Sequence, residues 1–352
     1  DIFNKYTRFS FYLVCYCLLT FLFFTPYWLS IDNAIALYRL LIFPIVFITS
    51  YSIFRKIDDQ VILRVLILYL FLAVASKISL IFFFDKTYGG GASQIVFLPI
   101  YVSMLVLAFN NNLKAPVWKR SSSLILGLCI LGLIILLVLL SYKRMQIFSM
   151  FLGIFLICIY FIKEKRIWLM LIFFLTLGAS ISPLVDFQDV YDRLNSILNF
   201  LIERSSDISG NLRILENMSV IRTLDSISPF SFFTGLGPGA SYDPISSSLK
   251  VNLSGRSVDV HSFYFYLLLN TGIVGLSLYC ITPLILIFSN FKHLKRKNKS
   301  LFFLIIGIKT TLIIQFCIGL TSNAFFGNAL IAILAGWLAA LHSKETSGKW
   351  QD

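Results

Sequence analysis

Asp259-Val-His261-Ser262 lies where a polar stretch of the chain gives way to a long apolar run. A histidine is the side chain whose ordinary pKa lies near neutral pH, so one at that boundary can serve as a general base or as a hydrogen-bond donor to phosphate. Its position fits a second reading equally, a histidine that opens a helix through a hydrogen bond. Cations accompany it. Arg213 and Arg222 come from the same polar stretch, Lys143 and Arg144 form a tight turn between two apolar runs, and Arg39 and Lys77 lie inside apolar runs. A guanidinium binds phosphate oxygens through paired hydrogen bonds, whereas an ammonium acts as a point charge. Each cation also has a plain explanation: Arg39 or Lys77 can extend to a membrane surface, and Lys143-Arg144 can be a solvated turn. Taken together, these residue types fit chemistry on a phosphorylated lipid, with a diphosphate at headgroup level.

The elements that must position them are set by composition. The chain has 352 residues, 58% of them hydrophobic, with 35 Phe and a mean hydropathy of +0.84. A helix crosses the ~30 Å of membrane hydrocarbon with about 20 apolar residues. Runs of that length occur at 9–29, 34–54, 61–84, 93–109, 122–141, 145–162, 166–184, 262–289, 301–322 and 325–341. The expected fold class is therefore an all-α polytopic membrane protein of about ten transmembrane helices with one external helical loop domain. Its parts are transmembrane helices over 1–184, the loop domain over 185–260, and the last helices with a tail over 261–352. The chain begins at Asp1 rather than Met, which leaves room for one or two further helices upstream.

The net charge of +13 is distributed as a membrane protein distributes it, not as a nucleic-acid binder does. Lys5 and Arg8, Arg55 and Lys56, Lys114 to Arg120, Lys163 to Arg166, Lys292 to Lys299 and the tail Lys344 and Lys349 fall in alternate loops or ends. The positive-inside rule puts these in the cytoplasm, with both termini inside and 185–260 outside. That outer stretch holds six basic and nine acidic residues. By the same orientation Arg39, Lys77, Lys143 and Arg144 sit toward the outer face, where the rule predicts few cations. A cation within a span is costly, by ~2.5–3.5 kcal/mol on insertion scales, and commonly lines a ligand path. Lys309, midway along a span, has no such assignment. All six cysteines fall in apolar runs, so neither a disulfide scaffold nor a metal site is expected. No cofactor is expected.

Two helices are expected in the outer stretch. Over 187–204, Val190, Leu194, Ile197, Leu198, Leu201 and Ile202 recur at helical spacing. Over 211–226, Leu215, Met218 and Ile221 would form the buried stripe, with Arg213, Glu216, Asn217 and Arg222 elsewhere on the helix. Then come Pro229 and Gly235-Leu-Gly237-Pro-Gly239, which no ordinary helix accommodates. This reads as an ordered loop returning to the membrane at His261. The triple glycine 89–91 is not followed by the lysine-hydroxyl pair of a phosphate-binding loop and is not a nucleotide loop.

At this point the sequence resembles the bacterial O-antigen polymerases and O-antigen ligases. Their shared pattern places an arginine on an external helix, then a glycine-rich segment, then a histidine opening a helix that ends in a Gly-Ile-x-Gly step. This chain supplies Arg213, Gly235 to Gly239, His261-Ser-Phe-Tyr-Phe-Tyr and Gly272-Ile-Val-Gly275, with Ser141-Tyr-Lys-Arg144 similar to the family's serine-to-arginine element. It departs at Ser262, where many relatives have Asn, at Thr271, often acidic elsewhere, and in the Tyr-Lys inserted before Arg144.

The resemblance implies glycosyl transfer on the periplasmic face of the bacterial inner membrane, between substrates carried on undecaprenyl diphosphate. Arg144 and Arg213, helped by Lys77, Arg39, Arg222 and Lys143, would meet the charge of the departing diphosphate. His261 would orient or deprotonate the acceptor hydroxyl, with Asp259 tuning it; alternatively His261 binds diphosphate and Glu216 is the base. In a polymerase the acceptor is a lipid-linked repeat unit, and in a ligase it is lipid A-core. A short chain rich in Phe and Ile, with no long second external domain, leans toward polymerase. A lipid-linked glycan transporter is the competing class, although no internal repeat is visible. The expected partners are the undecaprenyl-diphosphate-linked oligosaccharide, membrane lipid and a chain-length-regulating co-polymerase, with no nucleic acid.

Overall fold

Apolar runs of span length become helices wherever the structure describes them. A computed structural model describes residues 6–24, 31–59, 61–62, 65, 152–157, 159, 208–245, 260–291, 294, 299–320 and 329–347. The helices are α1 (Arg8–Phe24), α2 (Ile31–Phe54), α3 (Ile208–Ile227), α4 (Ser231–Thr234), α5 (Phe263–Phe288), α6 (Lys299–Gly319) and α7 (Ala329–Thr346). No strand occurs among the described residues. Among them, Asn33–Phe54, Phe263–Phe288 and Leu301–Gly319 are long and apolar enough to cross a membrane. The expected spans at 93–109, 122–141 and 166–184, nearly all of 61–84, much of 145–162, and the expected helix at 187–204 lie outside the described residues.

The chain forms two compact units. One contains Asp1–Lys56, Asn199–Asn290 and Phe316–Asp352; the other contains Ile57–Leu198 and Phe291–Gln315. In the second unit, the Lys309 ammonium lies 5.1 Å from the Phe291 ring centroid, where the ring face attracts the cation.

In the first unit, α7 packs along α2, and α1 lies against α2 and α5. Almost every residue of α7 from Leu330 to His342 is buried. Its small residues permit that: a Cβ on Gly336 would stand 2.7 Å from the Ser50 side chain and 2.9 Å from the Tyr51 nitrogen. Contacts fix the helix directions. Ser10 Oγ meets Thr282 Oγ1 at 3.2 Å and the Tyr16 hydroxyl meets Thr271 O at 3.0 Å, so α1 runs antiparallel to α5. The Phe43 and Tyr279 rings are 5.1 Å apart, while Asn33 at the start of α2 abuts Gly239, whose N–H reaches Asn270; α2 thus runs with α5.

The ends of these helices differ in character. At one end the Tyr6 hydroxyl hydrogen-bonds His342 Nδ1, Tyr51 donates to Ser343 Oγ at 3.3 Å, and the Arg55 guanidinium lies 5.7 Å from the Tyr51 ring centroid. Arg8, Arg55, Lys56 and Lys344 belong to that end. At the other lie the beginnings of α2 and α5, with Phe316–Gly319 beside the start of α5: Tyr264 donates to Phe316 O at 2.7 Å.

α5 is broken inside its length. Gly272 has φ 64° and ψ −170°, outside helical geometry and open to glycine without strain. Gly235, also at positive φ, packs on it backbone to backbone; a Cβ on Gly235 would collide with the nitrogens of Thr271 and Gly272. The glycine-rich loop is thereby fastened to the break. Leu236 N–H donates to Leu269 O at 2.8 Å and Gly237 N–H to Asn270 O at 3.1 Å.

Candidate functional site

α3 covers the stretch expected to be helical at 211–226, but it faces the other way. Met218 is 52% exposed, Ile221 is exposed, and Leu215 is half-buried. The inner face carries Glu216, Ser219, Val220, Thr223 and Leu224 instead. The expected stripe of Leu215, Met218 and Ile221 is corrected accordingly. The physical reason is that loop backbone needs acceptors where it crosses the helix. Asp243 N–H donates to Thr223 Oγ1 at 2.9 Å, Ile245 N–H to Ser219 Oγ at 3.0 Å, and His261 N–H to Glu216 Oε1 at 2.9 Å. Positions 216, 219 and 223 recur at helical spacing, so one polar stripe holds three points of the returning chain.

Glu216 makes a second contact with His261. Nδ1 of the imidazole lies 3.2 Å from both carboxylate oxygens. The Glu216 side chain is 3% exposed and that of His261 61% exposed, so the acid is shielded and the ring faces outward. With the carboxylate ionised, and so only accepting, Nδ1 carries the proton and Nε2 is the acceptor nitrogen of the neutral ring. Should the ring take a second proton at Nε2, the buried carboxylate stabilises the resulting charge. A base oriented by a buried acid is a recurring arrangement for proton transfer from a hydroxyl.

Arg213, half-buried, lies one turn before Glu216 on the same side of α3. Arg222 does not join it: nine residues on, about two and a half turns, it projects from the opposite side and is exposed. Arg39 is exposed in the first half of α2, toward the same end of the unit as His261. Asp259, Lys77, Lys143 and Arg144 lie outside the described residues.

Gly235, Gly237 and Gly239 all have positive φ, of 72°, 91° and 86°. Their N–H groups are engaged within the protein: Gly235 with Ser231 O at 2.8 Å, Gly237 with Asn270 O, and Gly239 with Asn270 Oδ1 at 2.8 Å. The run is a fastening rather than a cradle of outward N–H groups. Sequence reasoning missed Asn270, which holds Gly239 while donating to Tyr266 O at 2.7 Å. It also missed Tyr16, whose hydroxyl lies 3.1 Å from Thr234 O and 3.0 Å from Thr271 O, bridging loop and break. The signal was present as Asn270-Thr271-Gly272, a polar triplet inside an apolar run.

Comparison with known proteins bears on this region. Residues 127–280 match the family model described as O-antigen ligase. The match contains Arg144, Arg213, Glu216, the glycine run and His261. No curated protein matches the chain.

Proposed function

We propose that this chain, which carries a domain of the O-antigen ligase and polymerase superfamily over residues 127–280, is a polymerase of lipid-linked surface glycan. The reaction moves the nascent glycan from undecaprenyl diphosphate to the terminal sugar of a lipid-linked repeat unit. Nε2 of His261 takes the proton of the acceptor hydroxyl as its oxygen attacks the anomeric carbon. The bond from that carbon to the diphosphate oxygen breaks, and undecaprenyl diphosphate departs. Arg213 meets the charge that develops on it, with Arg39 as a further cation. Arg222 is left out because α3 turns it away from Arg213. Asp259 adds negative charge near the histidine, and Glu216 serves as its orienting acid rather than as the base.

One observation carries the reading: a buried carboxylate holds both the backbone and the ring of an outward-facing histidine, one turn from an arginine. Its location supports activity on the periplasmic face of the inner membrane. His261 stands at the end of its unit opposite Arg8, Arg55 and Lys56, the residues expected in the cytoplasm. The polymerase form is favoured over the ligase form by a sequence rich in Phe and Ile, without a long second external stretch.

The test is reconstitution of the purified chain in vesicles with a lipid-linked repeat unit, followed by glycan length on a gel. A ladder of lengthened lipid-linked glycan is expected. Transfer only to added lipid A-core would make the protein a ligase. Unmodified donor with both acceptors, alongside movement of donor between leaflets, would make it a transporter. A separate co-polymerase is expected to set the length distribution.

A further inference from the structure

We propose that residues 228–240 form a re-entrant segment, with the Phe230 and Phe233 rings in the hydrocarbon of the membrane leaflet nearer His261, covered by lipid acyl chains. The inference is independent of the glycosyl-transfer reading, since it concerns depth and not chemistry.

Depth follows from what the segment touches. α5 is a 26-residue candidate span, and Gly272 is its tenth residue. At ~1.5 Å per residue the break lies ~14 Å along the helix from Phe263. With the start of α5 at the interface or one turn above it, the break sits ~8–14 Å below the interface, within the ~30 Å of hydrocarbon. The loop meets α5 at that level, through Leu236 with Leu269 and Gly237 with Asn270. α1 gives a second measure. Tyr16 is the ninth of its 17 residues, and its hydroxyl faces the carbonyls of Thr234 and Thr271.

Backbone bonding agrees with that depth. Irregular backbone persists in a membrane only where its polar groups are satisfied within protein or a wet cavity. The N–H groups of Gly235, Leu236, Gly237, Gly239 and Ala240 all have acceptors in the protein, and Pro238 has no N–H. The Thr234 hydroxyl turns back to Phe230 O at 3.3 Å rather than outward. Two large apolar rings nevertheless face out. Phe230 is 65% and Phe233 54% exposed, with centroids 6.5 Å apart. At hydrocarbon depth such rings contact acyl chains, as do the exposed Leu18, Leu19, Leu22 and Phe23 of α1.

The experiment places tryptophan at the site in the full chain, as Phe233→Trp and separately Phe230→Trp, reconstituted in phosphatidylcholine vesicles. The added fluorescence, relative to the parent protein, is read with lipid brominated along the acyl chain and with aqueous iodide. At least two-fold quenching by acyl-chain bromine, with little effect of iodide, is expected for both variants. Quenching by iodide and not by bromolipid would put the segment in water and overturn the proposal. Insensitivity to both would mean that protein covers the rings, which also overturns it. Bromolipid quenching that disappears on adding undecaprenyl phosphate would assign the face to a polyprenyl chain, and bulk lipid would be the wrong occupant.

Discussion

Glu216 and His261 are separated by 45 positions, yet one carboxylate engages both the amide and the ring of the histidine. The two interactions separate by substitution. Glu216→Gln keeps an oxygen for the His261 amide but removes the charge beside Nδ1, so turnover is expected to fall roughly 100–10,000-fold, the scale of general-base assistance, with KM and membrane insertion little changed. Glu216→Ala also strips the amide of its buried acceptor, at about 1–3 kcal/mol, and should lower thermal stability in detergent as well. A Glu216→Gln protein polymerising at the parental rate would leave the carboxylate a structural tether only. The arginines divide similarly. Arg213→Lys keeps charge and loses the guanidinium fork, and its product is expected to vanish or nearly so, whereas Arg222→Ala, on the far side of α3, should retain most activity; equal losses would mean that the two share one site. His261 and Arg213 were legible in the sequence because charge at a membrane boundary is conspicuous. The pairing of Glu216 with His261 was not, since no local pattern encodes a contact across an intervening loop.

At the scale of elements, the instructive miss is the rotation of α3. Choosing Leu215, Met218 and Ile221 as the inner stripe applies a rule for helices whose outer face meets water. Here the inner face was decided by backbone groups needing acceptors, met by Glu216, Ser219 and Thr223. Among the described residues, the long helices were legible from their apolar runs, with boundaries within about five residues of those expected. The break in α5 was not, because one glycine in an apolar run ordinarily costs a helix only about 1 kcal/mol and does not interrupt it. What interrupts it is the partner glycine. Gly272→Ala forces a side chain into backbone geometry essentially confined to glycine, costing roughly 1–3 kcal/mol, and drives its methyl against the Phe233 carbonyl and Gly235 nitrogen. Gly272→Ala and Gly235→Ala are each expected to cut folded yield, measured by size-exclusion of detergent extracts, and to abolish polymer. Normal yield and polymer from either would show that the loop is not fastened to the break. Gly275→Ala should behave alike, since a Cβ there would collide with the Thr271 Cβ, which the backbone holds in place.

At the scale of the whole chain, the positive-inside reading and the helix directions of the first unit were obtained separately, one from loop charge and one from side-chain contacts. α1 runs against α5, while α2 runs with it, so Arg8 and Arg55 share one end and His261 occupies the other. That agreement makes sidedness testable without any glycan substrate. In a chain whose native cysteines are replaced by serine or alanine, His261→Cys should react with a membrane-impermeant thiol reagent added outside intact spheroplasts, because 61% of the native side chain is exposed. Lys56→Cys, exposed beyond the end of α2, should react only after the membrane is opened. A thiol at 56 labelled from outside, with that at 261 protected, would invert the chain and place the histidine in the cytoplasm. No carrier whose glycan has already crossed the membrane could then reach it, and the polymerase reading would fail for reasons of geography even if every contact between Glu216 and His261 were correct.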